Sequence, residues 1–422
     1  MSLSLKRATV ASATVVAMLG FAACSSSKSS SSSASSAASS SSAAGSSSAS
    51  SSATATTAAA APAITATSFT TDFSAMAQLK DLASQGKGKI GVLLPDTASS
   101  ARYVAFDQPY LQKAFEAAGL TSSDFKIDNA QGSASTQQTQ AEADITEGAS
   151  VLLLDQLDSG SAAAIEANAA QHGVKVIDYD RLTKGGASGR YYVSFDNVSV
   201  GKLIGQGEVD CIAAWNVASP QILLMDGDPT DNNATLFAQG YKSVLQPKFD
   251  AGTFKLVAEP GGTWDNQKAL TLFEQQYTAH PNINAVVTAN DGLGQSVISS
   301  LKTKSIPAKK IPVTGQDATA QGLQNILTGY QCGTVYKPIY LEAQASVALA
   351  LYLRAGQTPP AGLVNGTTTD PTANTQVPSV LLTPIWVTSQ NMASTVIKDA
   401  FVKASDICTG DAASACTSAG IS

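Results

Sequence analysis

The sequence predicts an α/β protein of two doubly wound, parallel-sheet lobes, with a chain that crosses between them more than once. Three observations carry this expectation: short apolar runs alternate with stretches of helical periodicity, the alternation restarts about halfway along, and the body behind a low-complexity N-terminal segment is long. Strand and helix in strict alternation make parallel βαβ units with helices on both faces of a sheet. Fully apolar runs such as Val151 to Leu154 suit a sheet covered on both sides. The body of roughly 350 residues exceeds what one hydrophobic core organises.

Taken in order, "KIGVLL" from Lys89 leads into helical "YLQKAFEAAG", "FKIDNA" into "STQQTQAEADITEG", and "SVLLLDQ" into "SAAAIEANAAQHG", after which "VKVIDYD" arrives. The pattern restarts with "YYVSFDN" before "VSVGKLIGQGEVDCIAAW". "QILLMDG", "FKLVAEP", "NAVVTAN" and "IPVTGQD" follow, each with a helical stretch behind it. "CGTVYKP" then precedes "IYLEAQASVALALYLRAG", and "TPIWVT" precedes a last helix around Met392 to Lys403. These terminal units complete the lobes. The expected boundaries are 69–195 plus 337–383 for the N-terminal lobe and 196–336 plus 384–422 for the C-terminal lobe.

The N-terminus sets the compartment. Lys6 and Arg7, the apolar run Ala8 to Phe21 and the small residues of "FAAC" have the layout of a secretory signal over residues 1–23, too short and mild for a permanent membrane span. "LGFAAC" resembles the lipobox of bacterial lipoproteins, which implies that Cys24 is lipidated and becomes the new N-terminus. Residues 24–68 are mostly small and polar; they bury too little apolar surface to offset their ordering entropy and are expected to form a disordered tether. The expected location is extracytoplasmic, on the outer face of the cell membrane, with the body held off by a spacer.

Other residue types exclude whole classes of function. A net charge of −6 without a basic tract argues against nucleic acid. Two histidines, and four further cysteines far from metal-ligand spacing, leave no zinc site to expect, and no cofactor is expected either. In an oxidising space Cys211, Cys332, Cys408 and Cys416 allow three pairings, of which we favour Cys408–Cys416 as a local loop with Cys211–Cys332 as the long one. His172 and His280 stand at helix ends before turn signals, where a C-terminal cap explains both. The Gly-x-Gly of "GQGEV" at Gly205 lies inside a helical stretch and lacks the later glycine, so it is no dinucleotide fingerprint.

In an open parallel sheet, ligands bind outside the carboxyl ends of the strands. Those ends carry Asp180 and Arg181 after "VKVIDY", Asp228, Asp231, Asn232 and Asn233 after "QILLMDG", and Asn290 and Asp291 after "NAVVTA". Asp317 follows "IPVTGQ", Lys337 follows "GTVY", Arg102 and Tyr103 follow the first strand, and Trp264 follows "FKLVAEPGG". Carboxylates, amides and cations with an aromatic plate suit a small polyol, whose hydroxyls both donate and accept and whose C–H face stacks on a ring. Asp178 is read instead as a cap or solvated residue, and Asp291 as the cap of the helix that follows it.

"VIDYDRL", "YYVSFDNVSVGKL", "GDPTDNNATLFAQG", "AVVTANDGLGQSVISSL", "PVTGQDATAQGLQNILTG" and "GTVYKPIYLEAQ" together resemble the D-xylose-binding branch of the ribose/galactose-type sugar-binding family that serves bacterial ABC importers. The match runs, with gaps, from about Lys89 to the last helix. It implies a periplasmic binding protein type I fold, with lobes joined by a multi-crossover hinge near Phe195, Tyr336 and Thr383. It also implies sugar contacts from Arg102, Tyr103, Asp180 and Arg181 in one lobe and from Asn232 or Asn233, Trp264, Asn290 and Asp317 in the other, with Lys337 at the second crossover.

The expected function is therefore that of a membrane-tethered, monomeric solute-binding lipoprotein, not an enzyme, that delivers a monosaccharide to an ABC permease. A sugar-sensing module for a membrane receptor shares the same site. A glycoside-processing enzyme using Asp180 and Asp317 is the rival from another class.

Overall fold

The computed structural model describes residues 63–97 and 102–421. The expected signal sequence, Cys24 and the tether as far as residue 62 lie outside the described residues. Over 63–68, where the tether was expected to continue, the chain is instead seated on the body: Ile64 and Ala66 are buried, and the Ala66 N–H donates to the Gly362 carbonyl. Two apolar side chains with somewhere to go are enough to end the spacer early.

Helices α1 (Ser74–Ala77) and α2 (Lys80–Gln85) precede five strands and four helices. In order these are β1 (Lys89–Leu94), α3 (Gln108–Ala117), β2 (Phe125–Asn129), α4 (Ala134–Thr146), β3 (Ala149–Leu154), α5 (Ser159–Gln171), β4 (Lys175–Tyr179), β5 (Tyr191–Phe195) and α6 (Asn197–Ala214). The second series runs β6 (Gln221–Met225), α7 (Asn232–Asp250), β7 (Lys255–Ala258), α8 (Asn266–Ala279), β8 (Ala285–Thr288), α9 (Asp291–Thr303), β9 (Thr314–Gln316), α10 (Ala320–Leu327), β10 (Gly333–Tyr336) and α11 (Ile339–Arg354). Three strands close the chain: β11 (Gly366–Asp370), β12 (Thr375–Leu382) and β13 (Ile385–Val387).

The strands divide between two lobes. One sheet has the order β11-β12-β5-β4-β3-β1-β2, and β6, β7 and β8 form part of the other with β9, β10 and β13. The two three-stranded parts of this second sheet meet at a parallel bridge between Val286 and Val313. Passage from β5 to α6, from β10 to α11 and from β12 to β13 carries the chain three times between the lobes.

Both sheets are parallel except at one edge. β11 pairs antiparallel with β12, and β13 antiparallel with β10, so the all-parallel expectation fails at these edges. The hairpin was missed although "GTTTDPTANTQVPSVLL" carries its signals, β-branched runs on either side of an Asp-Pro and Asn turn. The helix expected around Met392 to Lys403 is reduced to a π-helical turn, Ala393–Ile397, and the short helices Ala404–Ile407 and Ala413–Ser418 follow beyond it.

Disulfides join Cys211 to Cys332 and Cys408 to Cys416. The first ties α6 to the start of β10. The second closes a terminal loop that rests on α10, where the Gln324 amide donates to the Asp406 carbonyl and the Thr409 hydroxyl. The glycines of "VGKLIGQG" have a packing role: a Cβ on Gly201 would strike the Phe237 carbonyl, and one on Gly240 would come within 2.6 Å of the Gly201 Cα. α6 and α7 therefore touch backbone to backbone.

Candidate functional site

The residue after β4 organises the site. Asp180 sits at φ 58°, a left-handed conformation unfavourable for a residue with a Cβ, so it leaves the strand direction abruptly. Its carboxylate turns toward Arg102, whose Nη1 donates to Oδ1 at 2.8 Å, and toward Tyr103, whose hydroxyl donates to Oδ2 at 3.1 Å. Arg102 follows the first strand and opens a π-helical turn, Tyr103–Asp107. Its Nε and Nη2 fork onto Asp107 at 2.9 and 2.7 Å, and Nη2 also reaches Glu342 of α11 at 2.6 Å. One buried guanidinium thus meets three carboxylates, an arrangement that fixes its plane.

Arg181 lies beside this group. Its Nη1 donates to the Gln156 carbonyl, its Nε is 3.5 Å from Asp231 and 3.8 Å from Asp155, and its guanidinium carbon is 5.4 Å from the centre of the Tyr103 ring. Burial alone would push the Asp180 carboxyl up, but Arg102, Lys337 and Arg181 together hold it below the ordinary carboxylate value. Asp231 and Asp155 are both pushed up by burial, with Arg181 opposing. Neither oxygen of Asp155 has a hydrogen-bond partner among the described residues.

The facing wall is built from helix starts. Asp231 caps α7, accepting from the Asn233 N–H, while its other oxygen accepts from the Trp264 indole at 3.1 Å. The Trp264 ring lies against Gly227, where any Cβ would collide with it. Asn290 caps α9 through its Oδ1 and the Leu293 N–H. Gln316 ends β9 with a buried Oε1 that no described residue satisfies. Asp317 stands at φ 97°, 3.2 Å from Lys337 Nζ, and Lys337 in turn lies 5.8 Å from the centre of the Phe237 ring.

Between the walls is a narrow cleft lined by polar side chains. Nine of the ten expected residues line it: Arg102, Tyr103, Asp180, Arg181, Asn233, Trp264, Asn290, Asp317 and Lys337. Asn232 does not. It is buried elsewhere, because consecutive residues on a helix point about 100° apart and only Asn233 faces the space. The remaining lining residues are Asp231, Phe237 and Gln316. Asp231 and Gln316 were legible as strand-end polar groups, whereas Phe237 is one more apolar residue of an amphipathic helix and gives no signal.

Two cap readings need correction. Asn290, not Asp291, caps α9. The Asp291 carboxylate instead accepts from Gln331, Thr334 and Thr319, and burial with Asp317 nearby pushes it up to about 7. Asp178 is neither a cap nor solvated. It is fully buried, accepting from the Thr183 backbone and hydroxyl and from Arg190 Nε at 3.0 Å. His172 and His280 do stand at the C-caps of α5 and α8.

Residues 90–358 match the model of the periplasmic binding protein domain. The chain is 38% identical to the D-xylose-binding periplasmic protein of Escherichia coli over 67% of its own length and 82% of that protein's. It is 33% identical to the multiple sugar-binding periplasmic receptor ChvE of Rhizobium radiobacter, covering 76% of this chain and 92% of the receptor. Among solved structures it resembles a carbohydrate transporter solute-binding protein from Chloroflexus aurantiacus in complex with D-glucose, with a TM-score of 0.66, 29% identity, and coverage of 75% of this chain and 97% of that one.

Proposed function

The chain belongs to the periplasmic binding protein family, and from that premise we propose that it captures a monosaccharide, an aldose such as D-xylose, between its lobes and delivers it to an ABC permease. The observation that carries this reading is the convergence of charged, amide and aromatic groups from both lobes on one space. Asp180, Asp231 and Asp317 accept hydrogen bonds from sugar hydroxyls, and Arg181, Lys337 and Asn290 donate hydrogen bonds to them. Trp264 and Phe237 offer ring faces to the C–H surface. A ligand lacking one hydroxyl leaves a buried ion unsatisfied, which is the source of specificity. Cys24 carries the lipid, and the segment behind it tethers the monomeric body outside the membrane.

A sensing role shares this capture step, and the word receptor in the name of the Rhizobium radiobacter relative speaks for it. Against a glycoside-processing enzyme, Asp180 is held ionised and committed to Arg102 and Tyr103, which leaves it poorly suited to relay a proton.

Calorimetry with D-xylose and D-glucose tests the reading, followed by chromatography of the mixture. Binding with full recovery of unaltered sugar is expected. Asp180→Ala and Arg181→Ala should each weaken binding by at least about 100-fold, the scale for losing one partner of a buried charge-assisted contact. Normal binding by either variant, or recovery of altered sugar, overturns the assignment.

A further inference from the structure

The strained turn at Asp180 aims more than a carboxylate. Its backbone carbonyl, freed from the strand, accepts from the Asn233 Nδ2 at 2.8 Å and from the Tyr192 hydroxyl at 2.9 Å. Asn233 opens α7 in the C-terminal lobe, and Tyr192 lies on β5 in the N-terminal lobe. The Asn233 Oδ1 is 3.0 Å from both the Tyr192 hydroxyl and the Nδ2 of Asn197, the first residue of α6 after the first crossover. That Nδ2 also donates to the Tyr192 hydroxyl at 2.9 Å. All three side chains are buried.

Counting valences decides what this group can do. The Asn233 Oδ1 accepts from the Asn197 Nδ2 and shares the single Tyr192 hydroxyl hydrogen with the Asp180 carbonyl; one of the two Asn233 Nδ2 hydrogens goes to that carbonyl, so a single hydrogen remains for the cavity that Asn233 lines. Tyr192 does not line that cavity, and Asn197 does not either. Two further bonds cross the same gap without help from a ligand: Lys184 Nζ donates to the Pro229 carbonyl at 2.8 Å, and the Ser159 hydroxyl to the Thr230 carbonyl at 3.5 Å.

We infer that Tyr192, Asn197 and Asn233 form a closure latch, a set of positioning residues that holds the lobes together through the Asp180 carbonyl and so sets how firmly the site grips its sugar. The inference rests on the capture reading for the sugar, but not for the closure itself. Asp180 serves both ends: a sugar that engages its carboxylate steadies the turn whose carbonyl carries the latch, and an intact latch presents the carboxylate already aimed. Closure then has a ligand-independent part, and the unliganded chain populates the closed form to an extent that the latch determines.

The test is Tyr192→Phe, which removes one hydroxyl and no cavity-lining atom, compared with the unsubstituted full chain. The distance between fluorophores attached at the exposed Lys175 and Lys255, one on each lobe, is measured without sugar, and aldose affinity is measured alongside. The latch requires a shift of the unliganded distance distribution toward open forms, with affinity weaker on the order of tenfold, the scale of one or two net hydrogen bonds. Asn197→Ala should do the same, and the double variant little more than either single one, because both act on one network. If Tyr192→Phe fails to fold, Asn197→Ala carries the same measurement. An unchanged distance distribution in a folded variant overturns the latch. A full chain that binds no aldose overturns the capture reading instead, and the unliganded distances still decide the latch.

Discussion

Two residues apart across the end of β4, Asp178 and Asp180 serve two buried arginine clusters that are alike in composition and unlike in use. Arg102 meets Asp107, Asp180 and Glu342, and Arg190 meets Asp178, Glu166 and Asp370. Each is one guanidinium with three carboxylates. The Arg190 cluster joins the loop after β4 to the β11–β12 hairpin, with Asp370 also accepting from the Gly185 N–H, and nothing in it borders the cavity. The Arg102 cluster forms one wall of that cavity. Burial pushes Asp178 up, with Arg190 opposing, while Asp180, equally buried, is pulled down by three cations. Buried charge is thus no mark of a binding site; what distinguishes the clusters is whether the chain turns out of the sheet, as it does at Asp180.

The sharpest way to break the comparison is to remove each arginine. Arg190→Met strands Asp178 and Asp370 and should cost about 3–5 kcal/mol in urea unfolding, with sugar affinity within about twofold of the original. Arg102→Met should cost a similar amount and also weaken sugar binding by about 100-fold or more. Loss of affinity in the Arg190 variant would erase the distinction.

A smaller effect separates the clusters by pH. Burial, with the neighbouring Asp180 and Asp107 adding to it and Arg102 opposing, pushes Glu342 up to about 8; burial with Asp178 beside it pushes Glu166 up to about 9. Below the ordinary glutamic acid value of 4.5, the folded and unfolded chains both hold these protons. As pH rises above it the unfolded chain releases them first, so each group's contribution falls until about pH 8 for Glu342 and about pH 9 for Glu166. Glu342→Gln and Glu166→Gln should each flatten the decline of stability over that window, by at most about 1.4 kcal/mol per pH unit. Only Glu342→Gln should also alter the pH profile of sugar affinity.

The smallest effect comes from an ion pair in water. Lys89 and Glu147 are 3.2 Å apart, with about half of each side chain exposed. Lys89→Ala should cost no more than about 0.5 kcal/mol in the same unfolding measurement, and less as salt is added.

Much of this arrangement was legible because the rule that reads it is local. Strand periodicity marks where each apolar run ends, and the polar residues just beyond are the ones a parallel sheet presents together, so Asp180, Arg181, Asn290, Asp317 and Lys337 could be named from short stretches. The misplaced or absent residues depend on geometry that no short stretch contains. Asp178 belongs to its cluster only because Arg190 lies 12 residues further on and Asp370 180 residues beyond Arg190. Glu342 reaches Arg102 across 240 residues. Asn232 and Asn233 differ only in which way one turn of helix rotates them. The β11–β12 hairpin, by contrast, was readable, and lay outside the alternating pattern that organised the reading.

The backbone contact between α6 and α7 has a mechanical consequence. α6 begins at the first crossover, and α7 begins with Asn232 and Asn233, so with backbone against backbone at Gly201 and Gly240 the pair is expected to move as one stiff lever. A small rotation at the crossover would then reach the helix tip that faces the Asp180 carbonyl. Lineages descended from this chain could exchange Phe237 or Trp264 to favour another carbohydrate, yet a methyl group at Gly201 or Gly240 would put slack in the arm that swings them.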